Sequence, residues 1–248
     1  MTDSPAQVRP DRRAELAAGL ARVRSRIADA CAAAGRERSE VTMIAVTKTY
    51  PASDVIALAG LGVTDVGENR DQEAAAKAAQ VAAARVTPRW HFIGQLQRNK
   101  VKSVVRYADM VQSVDRVRLV SALDVAATAA RDRQLDVLVQ VSVDGDAARG
   151  GAVPASSDPD VGFGPVVEAV AAAPGLRLAG VMAVAPLGWE PVRAFGRLAA
   201  LAEALRAEHP QATIVSAGMS GDLEAAISQG ATHVRVGSAL LGMRPTLR

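Results

Sequence analysis

Val41-Thr-Met-Ile-Ala-Val-Thr47, followed by Lys48-Thr-Tyr50 and then an amphipathic run over 53–61, decides the fold. It is a short β-branched run closed by a turn, without the glycine-rich phosphate loop that opens a doubly wound dinucleotide fold. Outward from it the same unit repeats. Strand candidates lie at 41–47, 64–66, 89–93, 109–114, 136–142, 177–184, 212–216 and 232–236. Helix candidates lie at 53–61, 70–84, 99–107, 116–133, 165–173, 191–208 and 222–229. Strand alternating with helix implies parallel pairing through right-handed crossovers. Eight such units in 248 residues favour a closed (β/α)8 TIM barrel, class α/β, over an open sheet. Ahead of the barrel, Leu16, Leu20, Val23 and Ile27 recur at helical spacing among charges, predicting an extra N-terminal helix over 11–35. No linker divides the chain. Residues 1–248 read as one domain with a flexible tail over 1–10, and 150–164 reads as one long mobile loop after the fifth strand.

Composition narrows the function classes. With 49% hydrophobic and 22% charged residues, a soluble globular protein is expected. No run approaches the ~20 apolar residues of a membrane helix, and the first thirteen residues lack the apolar core of a secretory signal. Cys31 is the only cysteine, which excludes an internal disulfide and a Cys-rich zinc site and fits a reducing cytoplasm. Of 29 basic residues only Lys48, Lys77, Lys100 and Lys102 are lysines, leaving 25 arginines scattered along the chain. With aromatics at 3%, a basic groove with stacking platforms is not apparent, and a nucleic-acid-binding module is a remote alternative.

In a barrel, functional groups gather at the carboxyl ends of the strands. Lys48 stands there. The chain writes most cations as Arg, yet here it writes Lys, and only Lys can shed its proton and attack a carbonyl. A lysine snorkelling from a strand end fits the position equally well. The seventh strand runs into Ser216-Ala-Gly-Met-Ser-Gly-Asp222 and the eighth into Arg235-Val-Gly-Ser-Ala-Leu-Leu-Gly242. Each is strand, small turn, helix start, an arrangement whose free amides hold phosphate. Gly218 and Gly237 admit close approach, and Ser220 and Ser238 add hydroxyls, although Ser220 also fits a plain N-cap and Gly237 a plain turn. Flanked by Val234 and Val236, Arg235 has the parity of the barrel interior, where it must meet a ligand or an acidic partner. His91, His209 and His233 share no metal-ligand spacing, so no metal site is expected. Asn69 and His91 sit in polar turns at the functional face. Gln140, Ser142 and Met182 either line the same mouth or pack in the core.

Taken together, Ala45-Val-Thr-Lys-Thr49, Gly67-Glu-Asn69, His91-Phe-Ile-Gly-Gln-Leu-Gln97 with Asn99-Lys100, Gly218-Met-Ser-Gly-Asp222 and Val234-Arg-Val-Gly-Ser238 resemble the pyridoxal phosphate homeostasis proteins. The resemblance spans the chain from the first helix to Gly242. It implies a barrel similar to that of alanine racemase, with pyridoxal 5'-phosphate held as a Schiff base on Lys48. It further implies that Ser216, Gly218, Met219 and Ser220 form one phosphate-side loop and Gly237 and Ser238 the other, while Arg235 faces the pyridine nitrogen. An arginine there discourages protonation of the ring and mutes it as an electron sink. The chain departs from the family pattern at Arg98, Ala217, Leu241 and Arg149-Gly150, the last removing a second lysine near the site.

The resemblance therefore implies a protein that buffers or delivers pyridoxal phosphate without efficient catalysis, because the carboxyl-terminal β domain that gives racemases a catalytic tyrosine is not found in the sequence. A weak amino-acid racemase or related pyridoxal enzyme is the alternative. Amino acids and recipient enzymes are candidate partners, with a cytoplasmic monomer expected and no membrane or nucleic-acid partner.

Overall fold

The structure, a computed structural model, describes residues 10–242. The expected tail over 1–10 falls outside them except for Pro10, which opens the first helix, where a missing N–H costs nothing. In chain order the elements are α1 (Pro10–Ala33), β1 (Thr42–Val46), α2 (Ala52–Ala59), β2 (Asp65–Glu68), α3 (Asp71–Ala83), β3 (Arg89–Phe92), α4 (Val101–Tyr107), β4 (Met110–Val114) and α5 (Val117–Ala130). There follow β5 (Leu135–Gln140), α6 (Phe163–Ala172), β6 (Leu176–Met182), α7 (Pro191–Glu208), β7 (Ile214–Ser216), α8 (Leu223–Ser228), β8 (His233–Val236) and α9 (Ser238–Leu241). Neighbouring strands pair in parallel, and β8 closes on β1 with Ile44 opposite Arg235. The (β/α)8 barrel and its N-terminal helix are as the sequence predicts.

Strand parity sorts the side chains. Val111, Val137, Val139, Val181 and Val215 point outward and are buried under the surrounding helices. Val66, Val234 and Val236 do the same with α1 and α2. Inside, Met110, Leu138, Ala179 and Met182 form a small apolar plug, and polar Asp65, His91, Gln112, Ser216 and Arg235 are buried beside it.

Two expectations change. The seventh strand is shorter than 212–216, because the Thr232 hydroxyl accepts the Val215 N–H (2.9 Å) and leaves one register pair, Ser216 with His233, between β7 and β8. The stretch 150–164, expected to be one mobile loop, is tied down. Ala152 N–H donates to Gln140 O (2.7 Å), Ser142 N–H to Ala152 O (3.0 Å), and Val153 N–H to Val161 O (2.7 Å).

Helix α1 buries Leu16, Leu20, Val23 and Ile27, which lie one above another at helical spacing and so bury as one stripe. It crosses α9 so closely that a Cβ on Gly19 would lie 2.3 Å from the Leu240 carbonyl oxygen. Gly19→Ala should gain ~1 kcal/mol of helix propensity yet lower net stability by about 1–3 kcal/mol through that clash. Urea unfolding checks it; unchanged or raised stability would refute the close crossing.

Candidate functional site

At the carboxyl end of β1 the backbone is clamped on both sides of Lys48. The Thr47 hydroxyl donates to Glu68 Oε1 (2.7 Å), and the Thr47 carbonyl accepts from Lys77 Nζ (2.7 Å). Lys77, 4% exposed, also donates to Glu68 Oε1 (2.5 Å) and Glu73 Oε1 (3.1 Å). Glu73 in turn takes the Thr49 N–H. Thr49 sits at φ +70°, a left-handed conformation that costs a β-branched residue at least 1–2 kcal/mol. Burial pushes the Glu68 carboxyl up, against hydrogen bonds from Lys77 and Thr47 that pull it down. Lys77 is thus consumed by structure, whereas the Lys48 amine has no hydrogen-bond or ion-pair partner among the described residues. Beside this clamp, Asn69 Oδ1 and Glu68 Oε2 are buried without a hydrogen bond.

Arg235, 4% exposed, occupies the barrel interior as its parity requires. It donates through Nη1 to Ser216 Oγ (2.8 Å) and through Nη2 to the Ala183 carbonyl (2.9 Å). Burial pulls its pKa down to about 10, with Asp222 opposing, so the guanidinium remains charged at neutral pH. From Ser216 polar contacts continue to Gln112 (2.7 Å), His91 (3.0 Å) and Asp65 (2.8 Å). Burial raises the Asp65 carboxyl, but hydrogen bonds from His91 and Thr64 outweigh it and hold the group below its ordinary value.

The two small-residue loops touch each other. Gly218 sits at φ +87°, and a Cβ there would lie 2.6 Å from Ala226 Cβ, so no other residue fits. Its carbonyl accepts the Arg235 N–H (2.9 Å), fixing the β7 loop onto β8. Met219 N–H donates to the Asp222 carboxylate (2.6 Å), so this loop already cradles an anionic oxygen. Ser220 Oγ accepts the Ala239 N–H (3.3 Å) and thereby caps α9. Gly237 lies against the end of β1, where a Cβ would be 3.5 Å from the Val46 carbonyl oxygen, and Ser238 is exposed.

The structure thus brings Lys48, Gly218, Met219, Ser220, Arg235, Gly237 and Ser238 to adjoining β1, β7 and β8. Ser216 is fully buried and spends its hydroxyl on Gln112 and Arg235. Met182 joins the apolar plug. Ser142 turns to Asp144 (2.9 Å), which also holds Arg149 (2.5 Å). The sequence reading passed over Gln112, Asp65 and Lys77. The first two carry a signal, since both are polar residues with interior parity on short barrel strands.

The chain matches the family model described as "Alanine racemase, N-terminal domain" over residues 19–245. It is 46% identical to the "Pyridoxal phosphate homeostasis protein" of Mycobacterium tuberculosis (strain ATCC 25618 / H37Rv), over 95% of each chain. The chain belongs to the pyridoxal phosphate homeostasis protein family. Among solved structures, PipY of Synechococcus elongatus PCC7942 is 31% identical without its ligand, with a TM-score of 0.79. The form with PLP bound is 29% identical, with a TM-score of 0.74; both cover 92% of this chain and 100% of that one. A pyridoxal phosphate homeostasis protein with this barrel also shares the fold, at 16% identity and a TM-score of 0.63, with alanine racemase from Corynebacterium glutamicum.

At the amino end of β8, His233 packs 6.3 Å from His91, centroid to centroid. Burial first, and His91 second, push its pKa down to about 4. The unfolded chain therefore takes up this proton near pH 6.5 while the folded one does not. Folding stability should fall as pH drops from 6.5 towards 4, by up to about 3 kcal/mol. Urea unfolding of His233→Gln should lose that share of the pH slope; an identical slope in both proteins would refute the burial of a neutral imidazole.

Proposed function

We propose that this chain binds pyridoxal 5'-phosphate and keeps it available to other proteins, by buffering or delivery, without turning over amino acids efficiently. The observation that carries the reading is a buried guanidinium on β8, joined to a β7 loop whose Met219 amide donates to a carboxylate, in a barrel whose neighbouring β1 ends on a lysine with no partner among the described residues. Family membership and the PLP-bound PipY structure support it.

The residues present fit the group. Gly218 leaves the loop bare of side chain, and the Met219 N–H already donates to a carboxylate oxygen. The hydroxyls of Ser238 and of Ser220, whose oxygen already accepts the Ala239 N–H, would add donors at the start of α9. Lys48, at the carboxyl end of β1 next to the Gly237 turn, would hold the cofactor aldehyde, whereas Lys77 is committed to Glu68. When bound, pyridoxal phosphate supplies an aldehyde that condenses with amines and a ring that withdraws electrons. Arg235, a standing cation, would discourage a proton on a ring nitrogen placed before it. His91 has partners at both nitrogens, and His233 lies at the amino end of β8, so neither stands free at the mouth as a base. A cytoplasmic location is part of the same reading, and amino acids and recipient enzymes are its candidate partners.

Purified protein should be yellow, and borohydride should fix an adduct that peptide mapping places on Lys48 and that Lys48→Ala abolishes. An adduct on Lys77, Lys100 or Lys102 would overturn the assignment. The carrier reading has its own test. Deuterium exchange at Cα of L-amino acids in heavy water should run well below ~1 s⁻¹, the low end of ordinary turnover, and faster exchange, lost in Lys48→Ala, would make the chain an enzyme.

A further inference from the structure

Five side chains from five strands form one hydrogen-bonded chain across the barrel interior: Arg235 on β8, Ser216 on β7, Gln112 on β4, His91 on β3 and Asp65 on β2. Its direction follows from the two ends. A guanidinium has only donors, so Arg235 must donate to Ser216 Oγ. The Ser216 proton then needs an acceptor, and Gln112 Oε1, 2.7 Å away, provides it. With its oxygen used, Gln112 turns its NH2 to His91 Nδ1 (3.0 Å), which must be the bare nitrogen of the ring. The ring proton is therefore on Nε2, and it is donated to Asp65 Oδ1 (2.8 Å). Flipping the Gln112 amide would aim two donors at Ser216 and leave the serine proton without its acceptor.

We propose that Gln112 is a positioning residue for the cofactor. Its amide accepts from Ser216 and donates to His91, and unlike the rotating hydroxyl and the tautomeric ring on either side it keeps donor and acceptor on separate atoms, so it transmits the polarity set at the ends and holds the aim of Arg235. Two of the five guanidinium donors go to Ser216 and Ala183, which locks the plane of the group. The remaining donors would then be presented to a bound ring in one orientation. All five residues are buried, and in that low-dielectric interior the aligned dipoles polarise one another. Asp65 anchors the far end and is itself held by the Thr64 hydroxyl (2.6 Å).

The inference rests on pyridoxal phosphate facing Arg235, and its test has one arm that does not. In the protein without cofactor, 15N spectra of the histidine rings should show His91 with a proton on Nε2 and a bare Nδ1. An Nδ1–H ring in the parent protein would overturn the polarity. In the loaded protein, Gln112→Met should weaken cofactor retention about tenfold, the loss expected for one hydrogen bond to a charged group, and shift the visible band. A role in packing alone would lower the melting temperature and leave band and affinity unchanged, and that result would refute the positioning role. Failure of the parent protein to bind pyridoxal phosphate would instead refute the proposed function, with the ring spectra still deciding the chain.

Discussion

A permanent cation enclosed in a parallel barrel imposes terms on everything around it. Transferring a guanidinium out of water costs several kcal/mol unless its donors and its charge are answered. Arg235 has no carboxylate in direct contact among the described residues. It is answered by a serine, a backbone carbonyl and a polar path that ends on Asp65. That arrangement explains why a buried polar path lies beside the Met110–Leu138–Ala179–Met182 plug. Removing any link leaves a buried polar group unsatisfied, so the interior must be complete to be stable.

The rim shows the same division between fixed frame and free group. Lys48 is held through its neighbours, by Glu68 and Lys77 at Thr47 and by Glu73 at Thr49. The strain at Thr49 is met by those bonds, and the amine is left without a partner among the described residues. Likewise the β7 loop is pinned through the Gly218 carbonyl and the Ser220 hydroxyl, while Ser238 stays exposed. Reactive or ligand-seeking atoms are thereby placed without being spent.

Much of this was legible in the sequence because it depends on period and parity. Eight β-branched runs separated by amphipathic helices admit few parallel topologies, and Val234 and Val236 turn Arg235 inward whatever the details. Gly218 and Gly237 mark backbone that approaches something closely. What the sequence left open are contacts between distant strands. Ser216 looks like any loop serine until Gln112, 104 positions away, takes its proton. Lys77 looks like an exposed helix lysine until β2 brings Glu68 beneath it. The 150–164 stretch has the composition of a mobile loop, and only its hydrogen bonds to Gln140 and Ser142 reveal otherwise.

The alternation of inner and outer faces has an evolutionary corollary. Outward-facing Val111, Val215 and Val234 are packed in apolar clusters beneath the helices, and such surfaces accept exchange among residues of similar volume. Gln112, Ser216 and Arg235 stand one position along the same strands, and each answers a neighbour of fixed donor and acceptor character. Tolerance to substitution should therefore rise and fall with a period of two along β4, β7 and β8. Drift can rewrite the outer wall of this barrel residue by residue, whereas its inner wall changes only in concert.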